Sequence, residues 1–178
     1  ARMGCEDGAL FVVGVALISY ALSRRGEEHW LLAASYARQP LGEALREFAM
    51  SSPSLVRLRD QRLARVRAFL KAADGLRRLL EAREVDLDAF HSRLAETMAS
   101  SRESKTVAFA AKMLFYSCLA ARRPWRGGWT VPMPIDYRVA LVSLTSGMLR
   151  GWHCGDDLLE LASKARSAQR SVLVRLWG

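Results

Sequence analysis

The sequence predicts an all-α fold. No segment of useful length alternates apolar and polar residues as a half-buried strand does. Apolar residues instead recur at helical spacing, in runs separated by short Pro, Gly and Ser breaks. With 178 residues the chain makes one domain, or two small lobes around a shared core.

In order, 7–23 reads as an apolar helix and 26–38 as a second, broken at Gln39-Pro40, with a short third at 41–50. The apolar stretch 9–22 has only fourteen residues and no basic leader, so a buried helix is expected there, not a membrane span or signal. Beginning at Ala1 is consistent with removal of an initiator methionine. The Ser-Ser-Pro-Ser cluster at 51–54 starts a basic helix to about Ala73, with Leu55, Leu63, Val66 and Phe69 inward. Arg57, Arg59, Arg62, Arg65, Arg67 and Lys71 populate its other face, read first as solvated and second as DNA-facing. Gly75 begins another helical piece, and Asp86 caps a helix to about Ser100. A short turn through Ser101-Arg102-Glu103-Ser104 leads to a helix at 105–121. A Pro/Gly/Trp loop then ends at Asp136 and a helix at 137–150, a helix capped by Asp156, and a last run to Trp177.

The chain holds 27 basic residues, of which only Lys71, Lys105, Lys112 and Lys164 are lysines. Arginine keeps its proton in a protein, whereas a desolvated lysine can lose it. Lys105 falls in the first turn of its helix behind a Ser104 cap, where the positive end of the macrodipole disfavours an ammonium. A neutral amine is what Schiff-base chemistry requires, although a solvated surface lysine is the competing reading. Lys105, Phe109, Lys112 and Tyr116 share one stripe, and Val107, Ala111, Leu114 and Cys118 form the opposing core stripe. Phe109 between two lysines is either a stacking platform for a flat ligand or a packed core ring. Asp136, after Pro132 and Pro134, is placed as an N-cap, a position that also keeps a carboxylate ionised.

The net charge of +9 is uneven: −1 over 1–50, +5 over 51–84, zero over 85–121 and +5 over 122–178. Two basic segments are the footprint of a phosphate-backbone binder, and also what genome bias or heat adaptation leaves behind. A tight turn followed by free first-turn amides suits phosphate. Cys5, Cys118 and Cys154 lack metal spacing and are odd in number, which suggests a reducing compartment and excludes an intrachain four-cysteine cluster. His29, His91 and His153 are isolated, and without HExxH or CxxC no metal or other cofactor is expected.

The blocks Ser104-Lys105-Thr106-Val107-Ala108-Phe109-Ala110-Ala111-Lys112-Met113 and Pro132-Met133-Pro134-Ile135-Asp136-Tyr137-Arg138-Val139-Ala140 resemble the archaeal 8-oxoguanine DNA glycosylases, a branch of the helix-hairpin-helix glycosylase/lyase superfamily. Residues 18–30, ISYALSRRGEEHW, resemble that family's first two helices. The resemblance implies a two-lobed helix-hairpin-helix glycosylase-like fold in one compact unit, 1–178. Lobe A would cover about 51–135 with the hairpin at 86–121, and lobe B about 1–50 plus 136–178. It implies that Lys105 is the nucleophile and Asp136 its partner, with Phe109, Lys112, Ala21 and Trp177 at the base pocket. Ser101, Arg102, Ser104 and Arg57 would meet DNA.

The implied reaction is a bifunctional one: Lys105 expels 8-oxoguanine from a flipped nucleotide, and the resulting Schiff base undergoes β-elimination. The implied partner is double-stranded DNA carrying oxidised guanine, with single-stranded DNA as a second form, and no membrane. The protein would be a cytoplasmic, nucleoid-associated monomer.

Three departures qualify the transfer. Ala21 stands where the family carries a base-reading glutamine, Leu173 stands one turn before Trp177 in place of an aspartate, and the hairpin lacks glycines. The chain is also shorter than typical members. Altered or broader base choice, and a non-catalytic helical DNA-binding protein, are the alternatives.

Overall fold

The computed structural model describes residues 3–150 and 155–168. Among them run eight helices: α1 (Cys5–Ile18), α2 (Gly26–Tyr36), α3 (Leu41–Ser51), α4 (Arg59–Leu80), α5 (Leu87–Thr97), α6 (Lys105–Ala120), α7 (Tyr137–Thr145) and α8 (Leu158–Ala168). A two-residue parallel pairing joins β1 (Val85–Asp86) to β2 (Trp125–Arg126), an extended contact that helical periodicity does not reveal.

Helix α1 is apolar on nearly every side and, Val12 excepted, is buried from Leu10 to Ile18, as an all-round apolar helix must be. It packs against α3, α4 and α6. Gly14 permits the approach of α3, because a Cβ there would lie 2.7 Å from Leu45 Cδ1. Residues from α1 to α6 share this core, and Ile135, Ala140, Leu144, Ala162 and Ala165 form a second, smaller cluster. No helix among the described residues is long and apolar enough to cross a membrane.

Helix α1 ends at Ile18, short of the expected 23, because side chains withdraw its last carbonyls. Ser19 Oγ donates back to Val15 O at 2.7 Å. The Arg62 guanidinium donates to Ile18 O at 3.1 Å, Leu55 O at 3.0 Å, Ala21 O at 3.3 Å and Tyr20 O. Arg62 is therefore fully buried, not on the solvated face of α4. Those four carbonyls make its burial tolerable, since a buried charge must be hydrogen-bonded.

Helix α4 begins at Arg59, after Leu58 in the left-handed region (φ 54°), because the serine cluster at 51–54 is used elsewhere. It continues through Gly75 without a break. Arg62, Val66, Phe69, Ala73, Leu76 and Leu80 form one buried stripe across that glycine. Their burial outweighs a glycine's cost of about 1 kcal/mol in a helix. Asp86 caps α5 as expected, taking Ala89 N at 2.9 Å. At α8 the cap differs: Asp157, not Asp156, accepts the amides of Leu159 and Glu160 at 2.8 and 3.2 Å.

The buried serines hold His29. Its Nε2 pairs with Ser19 Oγ and its Nδ1 with Ser54 Oγ, each at 2.8 Å, and Ser54 Oγ also meets Ser52 Oγ at 2.8 Å. Burial first, and the Arg62 charge second, pull the His29 pKa from 6.5 down to about 4. The unfolded chain thus binds a proton between these values that the folded protein refuses. Stability is full above pH 6.5 and falls by about 3 kcal/mol as pH drops to 4. Urea unfolding at pH 7 and pH 4 is expected to show this loss in the wild type and much less of it in His29→Gln. Equal losses would remove His29 as the cause.

Candidate active site

The expected pair meets. Lys105 is the first residue of α6 and Asp136 the residue before α7, and Lys105 Nζ lies 3.7 Å from Asp136 Oδ2. Both side chains stay partly open to solvent, at 47% and 36% exposure. Asp136 uses its two oxygens separately: Oδ1 takes Val139 N at 2.9 Å and caps α7, leaving Oδ2 to face the lysine.

Ser104 departs from its expected role. It holds the N-cap position of α6 but makes no side-chain cap hydrogen bond; its hydroxyl instead lies 3.4 Å from Thr106 Oγ1. The first turn of α6 is steadied from α4, where Arg65 Nη1 donates to Thr106 Oγ1 at 2.9 Å and to Leu17 O at 3.0 Å. Tyr20 lies against both arginines, with guanidinium carbons 4.9 Å (Arg62) and 5.1 Å (Arg65) from its ring centre.

The loop carrying Asp136 back to Lys105 is tied to α5. Val85 N donates to Pro124 O at 3.0 Å and Arg126 Nη2 to Asp86 Oδ2 at 2.8 Å. Asp88 then accepts Gly128 N at 3.0 Å and Thr130 Oγ1 at 2.5 Å. Thr130's hydroxyl, first, and the Gly128 amide hold the Asp88 pKa below the usual carboxylate range against the opposing effect of burial. Gly127 (φ 69°) is required in this loop, since a Cβ would run into Asp88 Oδ2.

The other candidates spread along and beside α6. Phe109 is half-buried and meets Trp30 edge-on, with ring centres 6.5 Å apart. Lys112 is half-buried one turn further, and burial lowers its pKa. It lines a cavity of 210 Å³ with Phe115, Tyr116, Trp125, Trp129 and Val131. Ala21 is exposed on the α1–α2 connection in the left-handed region (φ 47°), its carbonyl bonded to Arg62. At the hairpin, Ser101 Oγ accepts Glu103 N at 3.1 Å, and Arg102 Nη2 donates to Thr130 Oγ1 at 3.2 Å. The carbonyl of Arg102 pairs with the buried His91 Nε2 at 3.0 Å. Arg57 is exposed ahead of α4. Trp177 and Leu173, like His153 and Cys154, lie outside the described residues. Cys5 is free and exposed, and Cys118 free and buried.

Arg62, Arg65 and Asp88 were not among the residues expected here. Arg62 carried a readable signal: it stands four, seven and eleven residues before Val66, Phe69 and Ala73, on the buried stripe. Asp88 gave none, because its partners lie some forty residues away.

A lysine and a carboxylate thus meet at the N-termini of two helices, an arrangement in which an amine and an anion can act together. The family described as AGOG, N-glycosylase/DNA lyase, matches residues 1–178. The chain is 32% identical over 150 residues to the N-glycosylase/DNA lyase of Pyrobaculum aerophilum, a match covering 83% of this chain and 57% of that protein. It is 30% identical over 191 residues to that of Aeropyrum pernix, covering 99% and 62%. A crystal structure of Pa-AGOG, the 8-oxoguanine DNA glycosylase of Pyrobaculum aerophilum, complexed with 8-oxoguanosine, superposes with a TM-score of 0.74 at 28% identity. That match covers 99% of this chain and 65% of the other. The chain belongs to the AGOG N-glycosylase/DNA lyase family and has its helical fold. It spans roughly three fifths of the length of these relatives.

Proposed function

We propose that the chain carries the catalytic pair of a bifunctional DNA glycosylase/AP lyase acting on 8-oxoguanine, with Lys105 as nucleophile and Asp136 as its anionic partner. The observation that carries this reading is the 3.7 Å approach of Lys105 Nζ to Asp136 Oδ2 at a solvent-reachable site. Extrusion of the damaged nucleotide brings its C1′ to the amine. As the bond to the base breaks and its electrons leave with the base, positive charge develops on the sugar, and Asp136 stabilises it. Lys105 Nζ bonds to C1′ and the sugar ring opens to give a Schiff base. Loss of a C2′ proton then expels the 3′ phosphate.

Phe109, Lys112, Ala21 and Trp177 would meet the base, and Ser101, Arg102, Ser104 and Arg57 the backbone. The substrate is double-stranded DNA, with single-stranded DNA as a second form, handled by a monomer in an archaeal cytoplasm beside the nucleoid. Ala21 favours a second reading within the same chemistry: a methyl group replaces the family's base-reading amide, so base choice is broader.

Borohydride reduction of a reaction with an 8-oxoguanine duplex is expected to yield a covalent protein–DNA adduct. Adducts of similar yield with other damaged bases would select the broader reading. Salt-sensitive binding with no adduct on any damaged base would leave a DNA-binding protein without chemistry.

A further inference from the structure

The first turn of α1 and the end of α6 bring two thiols to one seam. The helices run antiparallel. At one end Arg65 bonds both Leu17 O and Thr106 Oγ1; at the other Arg123 Nη1 donates to Glu6 Oε1 at 2.6 Å. That register sets Cys5 level with Cys118. Cys5, Gly8 and Val12 share one face of α1, and Leu114 and Cys118 share one face of α6. All five line a cavity of 370 Å³ between the two helices. Gly8, one turn after Cys5, places no side chain between the thiols.

The two sulfurs differ in surroundings. Both are free, Cys5 exposed and Cys118 buried. Burial raises the Cys118 pKa; the Arg123 charge opposes this and Cys5 adds to it. Cys118 is thus kept as a thiol, and Cys5 is the one a dissolved oxidant meets. Arg123 joins the two positions. Its amide donates to Cys118 O at 2.9 Å, and its guanidinium, paired with Glu6, interacts with Cys5. Helix α1 has no side-chain cap at Gly4, so its first turn is free to shift toward the thiol on α6.

We propose that Cys5 and Cys118 form a peroxide-responsive pair, in which Cys5 is oxidised first and Cys118 resolves it to an intrachain disulfide stapling α1 to α6. The Cys5 sulfur attacks hydrogen peroxide, the O–O bond breaks, and a sulfenic acid and one water result. The Cys118 sulfur then displaces the hydroxyl, which leaves as a second water with the Cys118 proton. Two thiols lose two electrons, and one peroxide is reduced to two waters. A dithiol reverses the staple by exchange. The bond closes a loop of about 110 residues and so removes freedom from the unfolded chain. It lies at the opposite end of α6 from Lys105, thirteen residues and about 20 Å away. The staple therefore acts on stability, and it is independent of the glycosylase reading.

The test uses the whole chain carrying Cys154→Ser, so that only two thiols remain. Reduced and desalted, it is treated with a small excess of hydrogen peroxide, denatured, and alkylated with N-ethylmaleimide for intact mass. The treated protein is expected to weigh two hydrogens less than the reduced one and to take no maleimide, where the reduced one takes two. Its melting temperature is expected to rise by about 5–15 °C and to return with dithiothreitol. Cys118→Ala is expected to leave Cys5 as a sulfenic acid that dimedone traps. Cys5→Ser, a change at an exposed position, is expected to leave Cys118 unoxidised and alkylatable. Oxidation of Cys5 with Cys118 still alkylatable, a disulfide between two copies, or two maleimides on the treated protein each overturns the pair. An intrachain disulfide that leaves the melting temperature unchanged, or lowers it, overturns the staple. These readouts involve no DNA, so borohydride trapping succeeds or fails without touching them.

Discussion

Lys105→Gln is expected to abolish the borohydride-trapped adduct and to lower strand cleavage by roughly three orders of magnitude or more, as loss of a nucleophile does. Glutamine keeps the length and polarity of the side chain but has no amine to bond with C1′. The lysine is half-exposed, and ion pairs of that kind contribute only about 0–1 kcal/mol, so melting temperature and affinity for undamaged DNA are expected to stay close to wild type. Lys112→Gln supplies the contrast. That amine is half-buried in the aromatic cavity with a lowered pKa, which makes it the rival nucleophile. Its replacement is expected to leave trapping in place. An adduct that survives in Lys105→Gln and vanishes in Lys112→Gln would move the chemistry to the second lysine.

That rivalry shows what the sequence could and could not settle. Spacing alone put Lys105 and Lys112 on one stripe of α6 and put Val107, Ala111, Leu114 and Cys118 in the core, where they are buried. Local signals also sufficed for the caps: Asp86 and Asp136 each precede an apolar-periodic run, and each accepts the amide three residues on. The sequence put Lys105 and Asp136 at the starts of successive helices, which suggested the pair, and the resemblance sharpened it; what closes the loop between them is contact with α5, which no local pattern shows. The parallel pairing of Val85–Asp86 with Trp125–Arg126 and the grip of Asp88 on Gly128 and Thr130 are long-range hydrogen bonds that leave no local period.

The same limit applied at the end of α1. Helix propensity carries the run past Ile18, and what stops it is a guanidinium supplied forty-four residues later. Arg62 was misplaced because charge was taken to mean solvent, although its position on the stripe with Val66 and Phe69 already pointed inward. A buried arginine is uncommon without partners, and here the partners are backbone carbonyls, which no sequence pattern displays. The result bears on the site: Arg62 and Arg65 fasten the Tyr20–Ala21 connection and the first turn of α6 to one helix.

Asp136→Asn is expected to lower single-turnover base release by roughly 10²–10³-fold while leaving the fold intact. The substitution separates two jobs that one side chain performs. Capping needs an oxygen that accepts Val139 N, and asparagine caps as well as aspartate. The catalytic job needs a negative charge facing the sugar as it becomes cationic, and an amide supplies none. Asp136→Ala removes both, so it is expected to match the rate loss of Asp136→Asn and in addition to lose about 1 kcal/mol of stability with the cap. Thermal melting and single-turnover kinetics on the 8-oxoguanine duplex, run on both variants, therefore distinguish an anion from a cap. If Asp136→Asn releases base at the wild-type rate and only Asp136→Ala is impaired, in melting but not in rate, then Asp136 serves the helix alone. The 3.7 Å approach to Lys105 would then be an ordinary surface ion pair.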